Sequence, residues 1–215
     1  MIRAKTDELR TIYTTVAQSY DDIIPDTRFE APIDLAMVQH FLDQVGRGRS
    51  ASILDAGCGA GRMLAYLETL DPTLHLTGVD LAPGMVAQAR ANQPTLQIHE
   101  AELAALPFPA DQLDGVLSWY SIIHTPPAEL PRVVDELKRV LRPRGSLLLG
   151  FHAGSGARMA QRAYGHDVEL RVQLHDPGEI RAILTAGGFE FRALLDRSAR
   201  PIEKNAQGFV LATRT

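Results

Sequence analysis

The sequence predicts an α/β fold in which helices cover both faces of a doubly wound, mostly parallel sheet. Short apolar segments alternate with amphipathic helical patterns from about residue 50 to residue 190. The first of these segments ends in an acidic residue, three alternate glycines follow it, and a helix comes next. The second segment also ends in an acidic residue. This alternation is typical of parallel strands joined by crossover helices.

Length and composition narrow the class of protein. The 215 residues suit a single domain over 1–215, and 45% of them are hydrophobic. The formal net charge is -4, so the chain lacks the excess positive charge that binds nucleic acid or an anionic membrane. Cys58 is the sole cysteine, which excludes an internal disulfide. With a charged N-terminus and no apolar run of membrane-spanning length, we expect a cytoplasmic protein.

Two helices are predicted before the first strand, over residues 6–20 and 33–45, and we expect residues 1–48 to form a helical cap. In the first helix, Leu9, Ile12, Tyr13, Val16 and Tyr20 recur at helical spacing. The run from Asp21 to Asp26 is predicted to break this helix, and glycines after Val45 end the second.

The first strand leads through Ile53 and Leu54 to Asp55, and a glycine bend follows. Glycine lacks a Cβ, so this backbone turns with positive φ and approaches a ligand closely. The helix over residues 62–70 then offers free N–H groups to an anionic group. A dinucleotide fingerprint would place its last glycine at Arg62, but that glycine comes one residue early, at Gly61.

The run from Ile53 to Arg62, D-x-G-x-G-x-G in outline, resembles motif I of the class I S-adenosylmethionine (SAM) methyltransferases, which have a Rossmann-like fold. In that family the bend wraps the methionine part of SAM, and the product is S-adenosylhomocysteine (SAH). The resemblance implies that the following residues bind the cofactor: Asp55, Gly57, Cys58, Gly59 and Arg62.

The segment from Tyr13 to Tyr20 resembles the aromatic cap of many small-molecule methyltransferases. In these enzymes the rings close over the cofactor, which implies cofactor contacts for Tyr13 and Tyr20. The alternative is that both side chains only form the apolar face of a docking helix.

The second strand, residues 74–80, ends at Asp80, about twenty residues past the glycine bend. A carboxylate there can accept hydrogen bonds from both ribose hydroxyls. The run from Gly78 to Met85 resembles the family's second motif, which implies cofactor contacts for Leu81 and Met85. A helix is predicted over residues 85–92.

The third strand, residues 96–100, leads to a run that resembles the family's D-A-x-x-L-P-F. Aligning the two on Leu106 to Phe108 places Glu102 near the adenine amino group, with Glu100 as the competing candidate. The Leu103 backbone N–H is then close to a ring nitrogen.

The fourth strand, residues 111–118, is followed by the run from Trp119 to Pro127. Ligands of open α/β sheets lie outside the carboxyl ends of the strands, so we expect the floor of the methyl-acceptor site here. The run resembles the family's fourth motif, which implies that Ser118 and Trp119 contact the cofactor.

Methyl transfer needs the acceptor placed in line with the methyl group, which alone supplies roughly 7–11 kcal/mol. A general base adds about 10²–10⁴-fold. His124 is the best-placed candidate base and His152 the second. Tyr120 is the other candidate catalytic residue. The alternative is that Tyr120 and Trp119 shape an apolar acceptor pocket or lie against the sulfonium.

The remaining elements complete the expected sheet. A helix over residues 128–141 precedes the fifth strand, residues 146–151. Residues 152–176 are expected to be a variable cover over the acceptor site. Asp176 caps a helix over residues 177–186. Strands over residues 189–196 and 208–213 form an antiparallel edge pair of a seven-stranded sheet.

The sequence therefore predicts an enzyme that transfers a methyl group from SAM to an O, N or C nucleophile of a small molecule. The strand-four run lacks the D/N-P-P-Y motif of DNA amino-methyltransferases. The alternatives are an NAD-dependent oxidoreductase and a non-catalytic SAM-binding protein. No metal is expected, because the histidines lack ligand-like spacing. We expect no nucleic-acid or membrane partner and a monomer or homodimer.

Overall fold

The structure is a computed structural model that describes the backbone of residues 2–215 and the side chains of residues 6–215. A seven-stranded sheet has the order β3-β2-β1-β4-β5-β9-β8. Strands β1 to β5 are parallel, and β9 is antiparallel to both β5 and β8. The predicted fold class is confirmed. The strands are β1 (Ser52–Ala56), β2 (His75–Asp80), β3 (Gln97–Glu100), β4 (Leu113–Trp119), β5 (Leu141–Ala153), β8 (Phe189–Arg197) and β9 (Ala206–Arg214).

Helices cover both faces of the sheet, as the alternating pattern predicts. One apolar layer joins the sheet to α2, α3 and α4, and the other joins it to α5 and α6. Helix α1 lies outside these layers and packs on α4, where Val16 and Ala17 contact Met85 and Ala82. The helices are α1 (Ile2–Ile23), α2 (Pro32–Val45), α3 (Arg62–Leu70), α4 (Pro83–Asn92), α5 (Leu130–Val140) and α6 (Pro177–Ala186). None of the helices within residues 2–215 has both the length and the hydrophobicity to cross a bilayer.

Helix α1 continues through Asp21 to Ile23, so the predicted break at residue 21 is wrong. The Asp21 carboxylate accepts hydrogen bonds from the side-chain amides of Gln88 and Asn92 on α4. This tertiary contact holds the last turn of the helix against the local preference of aspartate for turns.

Strand β5 begins at Leu141, five residues before its predicted start at residue 146. Leu141 pairs with Leu113 and Ser146 pairs with Gly115, so the residues between them bulge out of the ladder. Arg144 takes a φ of 69° in this bulge. A bulge places extra residues on one strand without ending the pairing. The sequence pattern does not reveal that the strand continues through such a bulge.

Residues 152–176, whose fold the sequence left open, contain a two-stranded antiparallel hairpin of β6 (Ala157–Ala163) and β7 (His166–Gln173). The hairpin lies outside the main sheet and contacts α1 and the segment after β4. Asp176 caps α6 as predicted, since its carboxylate accepts the Glu179 N–H at 2.9 Å.

A buried ion pair joins the end of β8 to the start of α2. Asp34 is fully buried and accepts the Arg197 Nε–H at 2.6 Å and an Arg197 Nη2–H at 2.5 Å. Glu203 accepts two further N–H groups of the same guanidinium at 2.7 and 2.9 Å. The guanidinium thus satisfies two carboxylates, and holds the pKa of Glu203 down at about 2.

We expect Arg197→Met to lower the free energy of unfolding by about 3–5 kcal/mol, because it leaves the Asp34 carboxylate buried without its counter-charge. Arg47→Met is the control, since the Arg47–Asp43 pair lies on the surface and contributes about 0.3–0.5 kcal/mol. Urea unfolding followed by circular dichroism measures both. Equal losses in the two variants would contradict the prediction.

Candidate active site

A cleft of about 240 Å³ opens at the carboxyl ends of the parallel strands, between the glycine bend, α1 and the segment after β4. Its walls come from six separate parts of the chain. Many predicted site residues line it, namely Tyr13, Tyr20, Gly57, Gly59, Asp80, Leu81, Met85, Glu102, Leu103, Trp119, Tyr120 and His124.

The glycine bend forms part of the cleft wall. Gly57, Gly59 and Gly61 have φ angles of 86°, 54° and 92°, which side chains other than glycine rarely adopt. A Cβ on Gly57 would collide with the Cβ of Ser121 in the segment after β4. At the bend, the cleft is therefore lined by backbone atoms without side chains.

Asp80 holds the bend in place and lies in the cleft wall. Its Oδ2 accepts the Gly59 N–H at 2.9 Å, and its Oδ1 accepts the Ala82 N–H at 2.9 Å. Burial raises the pKa of Asp80, while these backbone N–H groups act to lower it. Each carboxylate oxygen has two lone pairs, so each can accept one more hydrogen bond from a ligand.

Tyr13 and His124 also line the cleft and form a hydrogen-bonded pair. The His124 Nδ1 lies 2.8 Å from the Arg171 carbonyl oxygen, and a carbonyl only accepts, so Nδ1 carries the proton. The His124 Nε2 therefore accepts from the Tyr13 hydroxyl at 2.7 Å. Burial lowers the pKa of His124 to about 4, so its ring is neutral at pH 7.

The hairpin closes the cleft with Tyr164, at the turn between β6 and β7. The Tyr164 ring lies 4.8 Å from that of Tyr20 and 6.4 Å from that of Tyr13, measured between centroids. Aromatic pairs at such distances stabilise a packed arrangement by about 0.5–1.5 kcal/mol. Tyr13 and Tyr20 thus line a covered cleft as well as packing α1 against its neighbours.

Known proteins resemble this chain in sequence and in fold. A family model described as a methyltransferase domain matches residues 53–145. An uncharacterised methyltransferase of Bacillus subtilis, YodH, is 32% identical over 74% of this chain and 68% of its own length. The chain belongs to the class I SAM-dependent methyltransferases. This confirms the predicted family and the cofactor that defines it.

Other relatives of this methyltransferase extend beyond the matched region. Malonyl-(acyl-carrier protein) O-methyltransferase from Pseudescherichia vulneris is 34% identical over 61% of this chain, but over only 48% of its own length. The chain thus spans about half the length of the first curated relatives it matches. Magnesium protoporphyrin IX methyltransferase from Synechocystis PCC 6803, solved with SAH, shares the fold at a TM-score of 0.75 and 20% identity, covering 98% of this chain and 100% of that one.

Asp55 shows how the methyltransferase cleft suits its cofactor. Both Asp55 carboxylate oxygens are buried, and neither has a hydrogen-bond partner within residues 6–215. Burial raises the pKa of Asp55 to about 7, against the lowering effect of the Arg62 charge. A buried carboxylate without partners is costly. The residues present fit SAM, whose cationic groups would stabilise the ionised form of Asp55.

Glu30 is a site residue that the sequence did not indicate. Its carboxylate accepts an Arg62 N–H at 2.6 Å and the Trp119 Nε1–H at 3.1 Å. The Glu30 and Arg62 side chains are only 8% and 9% exposed, so this pair holds Trp119 in the cleft wall by a buried contact. Glu30 lies in an irregular turn before α2, where no motif marks it.

Four predicted cofactor residues do not line the cleft with their side chains: Asp55, Cys58, Arg62 and Ser118. The Cys58 thiol packs into the core beside Gly78, and burial raises its pKa. Its backbone N–H donates to the Val79 carbonyl at 2.8 Å. Ser118 is buried, and its hydroxyl lies 2.5 Å from that of Ser121. These residues support the bend from behind, and direct contact with SAM stays a prediction for each.

Tyr120 takes a φ of 58°, an uncommon conformation for a side chain of this size. Its backbone N–H donates to the Gly150 carbonyl, and its ring lies 5.2 Å from that of His152. Burial raises the pKa of Tyr120, so its hydroxyl is protonated at neutral pH. His152 donates through Nδ1 to Gln207 Oε1 at 3.1 Å and is not among the residues lining the cleft.

The two acidic candidates near the adenine position lie in different places. Glu102 is exposed in the cleft wall beside Leu103. Glu100 forms an ion pair with Arg10 of α1 instead. The structure therefore favours Glu102 for contact with a ligand. Across residues 6–215, no cluster of three or more His, Cys, Asp or Glu side chains is arranged to hold a metal ion.

We expect the His124 ring to stay neutral, with its proton on Nδ1, from pH 8 down to about pH 5. An ordinary histidine titrates near 6.5, whereas burial lowers the pKa of this ring to about 4. Nitrogen-15 NMR of the imidazole reports both tautomer and charge. Titration near pH 6.5 would contradict the prediction.

The same pKa difference makes folding depend on pH. Below pH 6.5 the unfolded histidine binds a proton that the folded ring does not, so stability falls as the pH falls from 6.5 toward 4. In His124→Gln we expect this part of the acid destabilisation to disappear. His40→Gln is the matched control, since that ring is exposed on α2.

Proposed function

We propose that this protein transfers the methyl group of SAM to an oxygen, nitrogen or carbon nucleophile of a small molecule. One observation carries the proposal. One cleft is lined both by the glycine bend with Asp80 and by the hydrogen-bonded Tyr13–His124 pair. A candidate cofactor cradle and a proton-accepting pair thus share one space, which supports methyl transfer in this cleft.

Specific groups of this chain would hold the cofactor. Asp80 would accept hydrogen bonds from the ribose hydroxyls, and Glu102 with the Leu103 N–H would bind the adenine. The glycine bend, backed by Asp55, would receive the methionine end. When bound, SAM supplies an electrophilic methyl group on a sulfonium sulfur.

The chain's own part in the reaction is mainly positioning. The rings of Tyr13, Tyr120 and Tyr164 limit where an acceptor atom can lie, and orientation of this kind contributes roughly 7–11 kcal/mol. A general base contributes about 10²–10⁴-fold, or near 3–5 kcal/mol. Placement by the aromatic wall therefore outweighs proton removal.

The Tyr13–His124 pair provides a route for the proton. His124 Nε2 is occupied by the Tyr13 hydroxyl, so a proton from the acceptor passes first to the Tyr13 oxygen. The Tyr13 proton then moves to Nε2 in the same displacement. With a pKa of about 4, His124 is a weak base, so the pair assists an acceptor that already loses its proton readily.

The acceptor is a small molecule in this proposal. The net charge of -4 disfavours nucleic acid, and the relative from Pseudescherichia vulneris is named as an O-methyltransferase, which supports oxygen among the acceptor atoms. Residues 1–215 act as one methyltransferase unit, in which residues 1–48 cap the cofactor and residues 152–176 cover the acceptor.

We expect Asp80→Ala to weaken SAH binding by at least tenfold, because hydrogen bonds to a charged group are worth about 1.5–3 kcal/mol each. Isothermal titration calorimetry with SAH measures the change. Asp43→Ala, on the exposed face of α2, is the control and should bind like the wild type. If Asp80→Ala keeps wild-type affinity while remaining folded, the ribose assignment is wrong.

We expect Tyr13→Phe to lower kcat by up to about 10²-fold while leaving SAH affinity within a few-fold of the wild type. The hydroxyl that receives the acceptor's proton is lost, whereas the ring that closes the cleft remains. SAH release over a panel of phenols, amines and carboxylates reports turnover, and Tyr66→Phe on α3 is the control. Wild-type protein that binds SAH but turns over no acceptor would favour a SAM-binding role instead.

A further inference from the structure

One face of the hairpin is apolar apart from Arg158, and its strand β7 packs on the segment after β4 that contains His124. Alternate residues of β7 point inward, and Leu170 and Val172 are only 4% and 5% exposed. Arg158 of β6 pairs with Val172 in the ladder and is half-buried on the same inward face. The outward face carries exposed side chains such as Met159 and Arg171. Arg158 is therefore a cation on this apolar face, opposite Val172 and next to the residue whose carbonyl binds His124.

Arg158 has no counter-charge. No carboxylate within residues 6–215 forms an ion pair with it, and its Nε is buried without a hydrogen-bond acceptor. Arg10 and Arg214 also have an unpartnered buried Nε, but each is neutralised through Nη1 by a carboxylate. Only the Nε of Arg158 is buried, and its Nη groups contact solvent without a protein acceptor in the described part of the chain, so they can donate to a ligand.

The charge of Arg158 acts on three nearby rings, those of His124, His152 and Tyr164. Burial is the main cause of the lowered pKa values of His124 and His152, and the Arg158 charge adds to both. It also acts to lower the pKa of Tyr164, against the raising effect of burial. The negative charge of Glu203 also acts on His152. It does not neutralise Arg158, because the Glu203 carboxylate already binds Arg197 and Arg200. The positive charge near these rings is left without an anion.

We propose that Arg158 binds an oxyanion group, a carboxylate or a phosphate, carried by the methyl acceptor close to the atom that is methylated. The inference rests on the proposed function and narrows its substrate to anionic small molecules. A planar guanidinium matches such groups with paired N–H donors. A bound anion would provide the acceptors that Arg158 lacks, in a partly desolvated setting where the attraction is strong.

The aromatic wall of the same space suggests the shape of the probe. Benzoate, phenyl phosphate and the neutral benzamide are similar in size and differ in charge. The test uses protein saturated with SAH and measures the affinity of each probe by calorimetry and by the shift in melting temperature. The variants are Arg158→Gln, and Arg162→Gln on the outer face of the same strand, where Arg162 lies near Asp167.

We expect the wild type and Arg162→Gln to bind at least one of the two anions about tenfold or more tightly than benzamide. Arg158→Gln should lose this preference, and all three proteins should bind SAH equally. The choice between benzoate and phenyl phosphate identifies which oxyanion the site takes. Arg158→Met, which suits the apolar inner face, provides the same comparison if the glutamine variant does not fold.

Three results would overturn the inference. Equal binding of benzoate, phenyl phosphate and benzamide to the wild type would remove the anion site. An equal loss in Arg162→Gln would show a general charge effect rather than a site. Weaker SAH binding in Arg158→Gln would assign the guanidinium to the carboxylate of the cofactor. A wild type that does not bind SAH fails at an earlier step, and would overturn the proposed function together with this inference.

Discussion

The bend after β1 can close only because β2 supplies acceptors for its backbone. The N–H groups of Gly57 and Cys58 both donate to the Val79 carbonyl, and that of Gly59 donates to Asp80. Three positive φ angles keep side chains out of the turn, so the segment after β4 can pack directly on Gly57. The ends of three neighbouring strands are thereby held together, and the cleft above them has a rigid floor.

The rest of the site is a cover built on that floor. Helix α1 crosses α4 so closely that Gly84 has no room for a Cβ beside the Thr14 backbone. Tyr13 and Tyr20 on this helix then meet Tyr164 of the hairpin, while His124 is fixed between Tyr13 and the Arg171 carbonyl. Burial under this cover also explains why the ionisable groups of the cleft have altered pKa values.

Motifs whose parts are close in sequence were predictable, because short chain segments fix their own geometry. The glycine bend, Asp80 and the Asp176 cap belong to this class, and each lies where the sequence predicts. The end of α1 and the start of β5 were predicted wrongly. At the end of α1, a contact between Asp21 and α4 overrides the preference of aspartate for turns. At the start of β5, a bulge follows Leu141 and the pairing with β4 continues after it.

The sequence alone determined the order of strands and helices, the glycine bend and the acidic residues at the strand ends, because periodicity and glycine spacing are local properties. Tertiary structure decided which distant residues meet. Tyr13 bonds to His124 although 111 positions separate them, and Glu30 bonds to Trp119 across 89 positions. Arg158 lies near His124 and His152 without a carboxylate partner among the described residues. Such pairs arise from how the layers pack, and no short-range pattern in the chain encodes them.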